Sequence, residues 1–414
     1  MHTYTYDANG NIVSDSLGGT LKHSYVYDEA GQLVRVNDAV QNRTFCYTYD
    51  NGGNLVNKKR YAYTTGTLGS VLQTTAAYAY SDSNWKDRLI SFNSIPLSYD
   101  AIGNLTYFDG RSFTWSAGRQ LEKYEISLYG YSIDYKYNAD GLRTQKYIDD
   151  DQTYTQTTYD YIWADGKLVS QADGTDVLYF LYDSSDSPIG FVLNDSETYL
   201  YIKNLQGDIT GIADENGAII VNYTYDEWGK LLSTTGSEAD TIGLMNPLRY
   251  RGYYYDTETG YYYLQSRYYN PSWGRFINAD DAALIDGTGI FSYCGNNPVT
   301  LVDPTGYAKV TAIKVWRVTI GWNITLSSTE VNRLIGAITI GGGVSGLVPV
   351  LAGLLAFPEL SSKVIAAVIV VIASAVAIYS GVLTYANAKG KGVRIRLNYV
   401  PYPPYAICTG VFSL

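Results

Sequence analysis

Nucleophiles and proton shuttles other than carboxylates are scarce in this 414-residue sequence, which holds three cysteines (Cys46, Cys294, Cys408) and two histidines (His2, His23). The cysteines stand far apart with no Cys-x-x-Cys pair, which argues against a disulfide scaffold and against a cysteine-based zinc cluster. Cys294, isolated in this way, reads as a small core residue. Both histidines lie near the N-terminus, so a Ser-His-Asp hydrolase or a His-dependent nuclease built near the C-terminus is excluded. Carboxylates are plentiful, with 40 Asp and Glu in all. Taken residue by residue they look structural. Asp303-Pro304-Thr305-Gly306 makes a good turn, Arg267 a partner for some carboxylate, and Asp256 and Glu258 turn and capping residues. No cofactor and no metal ion is expected.

The elements that must position these groups are strands. The chain carries 43 Tyr and 40 Gly against 10 Phe. A tyrosine ring packs on a pleated sheet while its hydroxyl finds a polar partner, and glycine supplies turns. A unit also recurs. Tyr4-x-Tyr6-Asp7-x-x-Gly10-Asn11-Ile12 is followed by Tyr25-x-Tyr27-Asp28-x-x-Gly31-Gln32-Leu33 and Tyr47-x-Tyr49-Asp50-x-x-Gly53-Asn54-Leu55, the aspartates 21 and then 22 residues apart. Further copies stand at Tyr99-Asp100-x-x-Gly103-Asn104-Leu105, Tyr135-x-Tyr137-Asn138-x-x-Gly141 and Tyr223-x-Tyr225-Asp226-x-x-Gly229. Alternate aromatics share one strand face, the Asp ties a turn to its own backbone, and the Gly takes the positive φ that closes it. Each unit is a β-hairpin that cannot bury its aromatic face alone, so units must stack side by side.

These motifs resemble the YD repeats of the RHS/YD family, which includes bacterial RHS proteins, WapA-like wall proteins and toxin-complex C subunits. The resemblance covers roughly residues 1–307. It implies a mainly β chain whose antiparallel hairpins form a shell, here the closing part of a cocoon around a C-terminal cargo. The expected domains are a YD-repeat shell over 1–245, an RHS repeat-associated core over 246–307, and a variable toxin-like domain over 308–414. The core reading rests on Asn246-Pro247-Leu248-Arg249-Tyr250-Arg251-Gly252, on Arg267-Tyr268-Tyr269-Asn270-Pro271-x-x-Gly274-Arg275-Phe276, and on Pro298 through Gly306, which matches the family's PxxxxDPxG signature. In the family this module cuts the chain just after that signature. The resemblance carries the catalytic role to Arg267, Asp280 and Asp303. The two acids would form an aspartic-protease-like pair sharing one proton, with Arg267 orienting or polarising them. The scissile bond is placed at Tyr307–Ala308, with Gly306–Tyr307 as the second choice. Tyr307 stands where the family usually has Leu, and Asp281 where Pro commonly follows the first acid. An intramolecular protease of this kind is not a turnover enzyme.

After Gly306 the composition changes. Residues 308–414 carry nine Lys and Arg against two Glu, leaving 21 basic and 38 acidic residues for the rest. A basic body beside an acidic one suggests mutual attraction or different partners. The segments 334–357 and 364–388 have no charged residue. Each as a helix would be roughly 36 Å long, enough to cross a hydrocarbon core of about 30 Å. An apolar helical hairpin is therefore expected, flanked by Arg333, Lys363, Lys389 and Lys391 and suited to anionic membranes. Gly392 to Asn398 alternates as a strand, and Pro401 to Tyr405 reads as a rigid linker. Two Glu, no Asp, no His and one Cys in 308–414 fit poorly with a metal-dependent nuclease or a zinc deaminase.

The reading is a secreted or cell-surface toxin that encloses a membrane-active effector and releases it by self-cleavage. Its expected partners are its own C-terminal cargo, a target-cell membrane and an immunity protein, with no nucleic acid. The chain opens inside a repeat without a signal peptide, which suggests that it continues an upstream segment. The competing reading is a non-catalytic cell-surface adhesin that binds carbohydrate, its apolar tail serving as an anchor.

Overall fold

A computed structural model describes residues 2–82, 85–184, 186–280 and 289–306, together with the backbone of four strands between 309 and 413. Residues 2–235 fold into a 22-stranded antiparallel sheet. Every strand pairs with the next one in the chain, from His2–Tyr6 to Leu231–Thr235. One face holds the core, with Phe45 and Tyr47, Ile133 and Tyr135, and Val221 and Tyr223 buried at alternate positions. The strip curls far enough that Lys58 pairs with Asp226 at 3.0 Å and with Glu227 at 3.3 Å.

The repeat turns form as their residues dictate. At the first, the N–H groups of Asn9 and Asn11 donate to Asp7 Oδ1 at 2.9 and 2.8 Å, and Gly10 adopts a φ of 85°. The same pattern recurs at Asp28, Asp50, Asp100, Asn138 and Asp226. It also recurs at Asn204 and Asp214, where Lys203 and Ala213 stand in place of the tyrosine just before the turn. At each tyrosine just before a turn the register slips by one residue, as at Val26/Tyr27 and Thr48/Tyr49, a bulge that tightens the twist.

The tyrosine excess has a second cause. Several of the rings that precede turns reach back across the strip and donate their hydroxyls to a carbonyl that follows an earlier turn. Tyr27 bonds Ile12 at 2.7 Å, Tyr49 bonds Leu33 at 2.7 Å, Tyr80 bonds Leu55 at 3.0 Å, Tyr137 bonds Leu121 at 2.9 Å, and Tyr225 bonds Ile209 at 2.8 Å. Trp115 and Trp163 do the same with their indole N–H, to Leu105 and Arg143, each at 2.6 Å. Phenylalanine would fill the space and leave a carbonyl without its partner. Tyr49→Phe is expected to destabilise the shell by about 1 kcal/mol, read from a shifted urea midpoint at unchanged slope.

After the short helix Ile242–Met245 the chain leaves this meander and lies across the turns. A small sheet of Tyr254–Asp256, Tyr261–Tyr263, Tyr268–Asn270 and Arg275–Phe276 forms its centre. Turn after turn ends on this segment. Asn297 Nδ2 reaches Asn11 Oδ1 at 2.9 Å, and Asn296 Nδ2 reaches both Gln32 Oε1 at 2.8 Å and the Gly53 carbonyl at 2.6 Å. The Leu105 N–H donates to Ile277 O at 3.1 Å, the Ile209 N–H to Arg249 O at 3.1 Å, and the Tyr262 hydroxyl to Gly229 O at 2.8 Å.

Asp256 and Glu258 do more than shape a turn. The Asp256 carbonyl does accept the Gly260 N–H at 2.8 Å. Its fully buried carboxylate pairs with Arg143 at 2.7 Å and Lys146 at 3.3 Å, and Glu258 meets Lys146 at 2.9 Å. Tyr254 and Tyr263 sit against the Arg143 guanidinium at 4.5 and 4.6 Å.

Beyond Gly306, Lys309–Val315, Val318–Leu326, Val393–Pro401 and Pro404–Ser413 form a four-stranded antiparallel sheet. The strand expected at 392–398 is part of it from Val393 onward. Of the expected rigid linker at 401–405, Pro401 ends one strand and Pro404 opens the next, the two paired with each other, while residues 402 and 403 lie outside the described residues. Proline ends one strand and opens the next because neither position must donate to the ladder. The apolar helical hairpin expected over 334–357 and 364–388 lies outside the described residues. Among the described residues no helix is long and apolar enough to cross a membrane.

Candidate functional site

Arg267 leaves a tight loop between Tyr261–Tyr263 and Tyr268–Asn270. The Leu264 N–H donates to the Arg267 carbonyl at 2.9 Å, and Gln265 takes a φ of 62° to close it. The guanidinium lies over the Phe276 ring, 3.6 Å from its centroid, in a pocket that leaves it almost no solvent. Asp280 ends the run 277–280, whose backbone is fixed by the Ile277 N–H donating to Tyr268 O at 2.9 Å and the Asp280 N–H donating to Ile290 O at 2.9 Å. Asp303 opens the turn to Gly306. Its own N–H donates to the Tyr253 hydroxyl at 3.0 Å, and its Oδ1 accepts the Gly306 N–H at 2.9 Å.

These three segments converge. Arg267 Nη2 lies 3.1 Å from Asp280 Oδ2 and 3.1 Å from Asp303 Oδ2, so one guanidinium nitrogen bridges both acids. Arg267 Nη1 donates to Ile290 O at 3.3 Å, and Nε donates to the Gly306 carbonyl. Two carboxylates around one cation leave a net negative charge in a buried place. Burial pushes the Asp303 carboxyl up from 3.8 to about 6, with the Asp280 charge adding to the rise and Arg267 opposing it. Asp303 is thus an acid that can hold or release a proton near neutral pH, beside a second carboxylate and a polarised peptide carbonyl.

The turn itself is held tightly. Ser266 Oγ donates to the Thr305 carbonyl at 2.7 Å. Gly306 has a φ of 76°, and a β-carbon there would stand 2.5 Å from Ser266 Oγ and 3.0 Å from Leu264 O. Gly306→Val should lift the 303–306 turn off this seat and take the Gly306 carbonyl from Arg267. A fall of about 100-fold in any reaction at this peptide is the expected size for a displacement near 1 Å, checked by single-turnover rates of the variant. A cavity of about 390 Å³ lined by Arg119, Tyr137, Tyr263, Gln265 and Ser266 lies beside the turn and has room for water.

Tyr307 and Ala308, the expected cleavage residues, lie outside the described residues, as does Asp281. Cys46 and Cys294 are not joined in a disulfide. Sequence reasoning read Asp303 to Gly306 as a turn but overlooked Ser266 and Tyr253, which seat it. The glycine of the closing signature was the available signal.

The teneurin YD-shell family model matches residues 20–288. Among curated proteins, the tRNA3(Ser)-specific nuclease WapA of Bacillus spizizenii is 33% identical over 269 residues, covering 63% of this chain and 11% of that protein. Double-stranded DNA deaminase toxin A of Burkholderia cenocepacia is 26% identical over 376 residues, covering 76% of this chain and 25% of that protein. Among solved structures, a Tc holotoxin pore of Photorhabdus luminescens carrying a TccC3 variant aligns with a TM-score of 0.60 at 21% identity, over 74% of this chain and 16% of that one. At that identity the likeness is one of fold. The chain spans 11% of the length of the WapA relative.

Proposed function

The chain belongs to the teneurin YD-shell family of RHS/YD proteins, and from that premise we propose that it is the C-terminal part of a polymorphic toxin which encloses its own C-terminal piece and cuts it free. The observation that carries this reading is Arg267, which holds Asp280 and Asp303 at equal distance while gripping the Gly306 carbonyl. One carboxylate takes a proton from a water that adds to the peptide carbonyl. The other, protonated, gives its proton to the departing amide nitrogen. The carbon–nitrogen bond breaks, leaving a new carboxylate and a new N-terminus. The cut falls at Tyr307–Ala308 with Gly306 as the anchored neighbour. The Arg267 grip on the Gly306 carbonyl equally favours Gly306–Tyr307, where that carbonyl would itself be the one attacked.

The cargo of this reading is membrane-active. Residues 308–414 are basic, hold two long uncharged segments, and have no Asp, no His and one Cys. That residue set gives little to build a nuclease or deaminase from; those activities belong to the relatives that carry them. The acidic shell complements the basic cargo and hides apolar surface that would otherwise aggregate. Its partners are then this cargo, a target membrane and an immunity protein that neutralises it. Secretion or display at the cell surface follows from the same role.

The test is to add the full chain to anionic vesicles loaded with a quenched dye, beside a gel of the same sample. Two fragments and dye release are expected for the wild type, and one band without release for Asp280→Asn. A wild-type chain that stays whole would count against the protease. Cutting without release would leave the protease and remove the membrane role.

A further inference from the structure

The acids belong to the segment after residue 245, but the hold on Asp280 comes partly from the shell. The run Ile277–Asp280 lies against two repeat turns. The Leu105 N–H donates to Ile277 O at 3.1 Å, Asn104 and Asn278 form a β-bridge, and the Ala279 N–H donates to Gly103 O at 3.1 Å. The next turn supplies Arg119, whose Nη1 donates to the Ala279 carbonyl at 2.5 Å. That carbonyl belongs to the peptide whose nitrogen is Asp280's own. The two turns are themselves tied together, because Asn104 Nδ2 donates to Asp100 Oδ2 at 2.8 Å and to the Gly118 carbonyl at 2.7 Å. The fit is close: a β-carbon on Gly103 would stand 2.9 Å from Ala279 Cβ. Asn104, Asn278 and Ala279 are fully buried, so the backbone bonds between these two segments are sheltered from competing water, while Arg119 is half-buried at the cavity wall. On the other side, Asn278 Oδ1 accepts the Tyr268 N–H at 3.0 Å, next to Arg267.

We propose that Arg119 is a positioning residue for Asp280, so that the chain cuts itself only once the shell strands around 100–121 have folded against the segment that carries the acids. This rests on the self-cleavage reading above. In an unfolded or half-built shell the Ala279–Asp280 peptide lacks its anchor, and Asp280 is not held against Arg267. Cutting would then follow enclosure, and the cargo would not be freed before its container exists.

The experiment is a pulse–chase of the full chain made by cell-free synthesis, with the cleavage rate read from the loss of the uncut band. Arg119→Met is expected to slow cleavage about 10- to 100-fold, the cost of a small misplacement of one catalytic group. Arg119→Gln, which keeps a donor toward the Ala279 carbonyl, is expected to recover most of that rate. Melting temperatures of both variants, measured in the Asp303→Asn background so that all chains are whole, are expected to match. An Arg119→Met rate equal to wild type would overturn the inference. So would a Gln variant as slow as the Met variant at matched melting temperature, or a loss of rate that tracks loss of stability in both. A wild-type chain that never cuts would instead sink the self-cleavage reading itself, before the variants are compared.

Discussion

Asp303→Asn is expected to leave the chain whole while keeping its fold. The amide is nearly the same size and can still accept the Gly306 N–H, now received by Oδ1 at 2.9 Å. It can neither hold nor pass the proton, and the loss of such a group lowers a rate by about 100- to 10,000-fold. The same substitution has a second consequence, which separates it from a folding defect. Burial lifts the Asp303 carboxyl from 3.8 to about 6. Between those values the folded chain keeps the proton and the unfolded chain does not, so stability falls as pH rises through that window. Above pH 6 the penalty is fully present, about 3 kcal/mol at most for two pKa units. Asp303→Asn should flatten that dependence and melt no lower than wild type at pH 7.5. Thermal melts at pH 4, 5, 6 and 7.5 read this directly; a variant that loses stability at every pH would point to a structural role.

Asp256→Ala is expected to have the opposite character, a large loss of stability at a carboxylate that does not touch Arg267. It would leave Arg143 and Lys146 buried with one carboxylate, Glu258, in place of two. Removing one partner of a buried pair costs about 3–5 kcal/mol, because the remaining charge has lost its compensation. Denaturant unfolding of the uncut Asp303→Asn chain with and without Asp256→Ala measures this. A loss below about 1 kcal/mol, the range of exposed pairs, would show that the interior charges are hydrated. Replacing Asp256, Arg143 and Lys146 together by apolar residues of similar size should recover much of the loss.

Much of the shell was legible because its information is local. An Asp that bonds the N–H groups two and four residues ahead, and a Gly that closes the loop, must lie at fixed spacing. Asp7, Asp28 and Asp50 therefore announce their turns. The turns at Asn204 and Asp214 escaped because Lys203 and Ala213 replace the tyrosine just before the turn. The high tyrosine count was visible, while the use of its hydroxyl was not. Tyr27 reaches a carbonyl 15 residues away, and Trp115 answers with a different donor over ten. Charge pairing over long separations was equally hidden: nothing local to Asp256 points to Arg143, 113 residues earlier. Arg267, Asp280 and Asp303 were named through family resemblance. Spacing alone could not bring acids 23 positions apart to one guanidinium. The prolines at 401 and 404 misled because a proline can end or open a strand as well as stiffen a spacer.

The most direct measurement is the intact mass of the smaller product after the purified wild-type chain is held at pH 5.5. A fragment running from Ala308, or from Tyr307, to Leu414 is expected, absent from Asp280→Asn and Asp303→Asn alike. An unbroken wild-type chain, or a fragment that begins elsewhere and persists in both variants, would contradict the role given to the two acids.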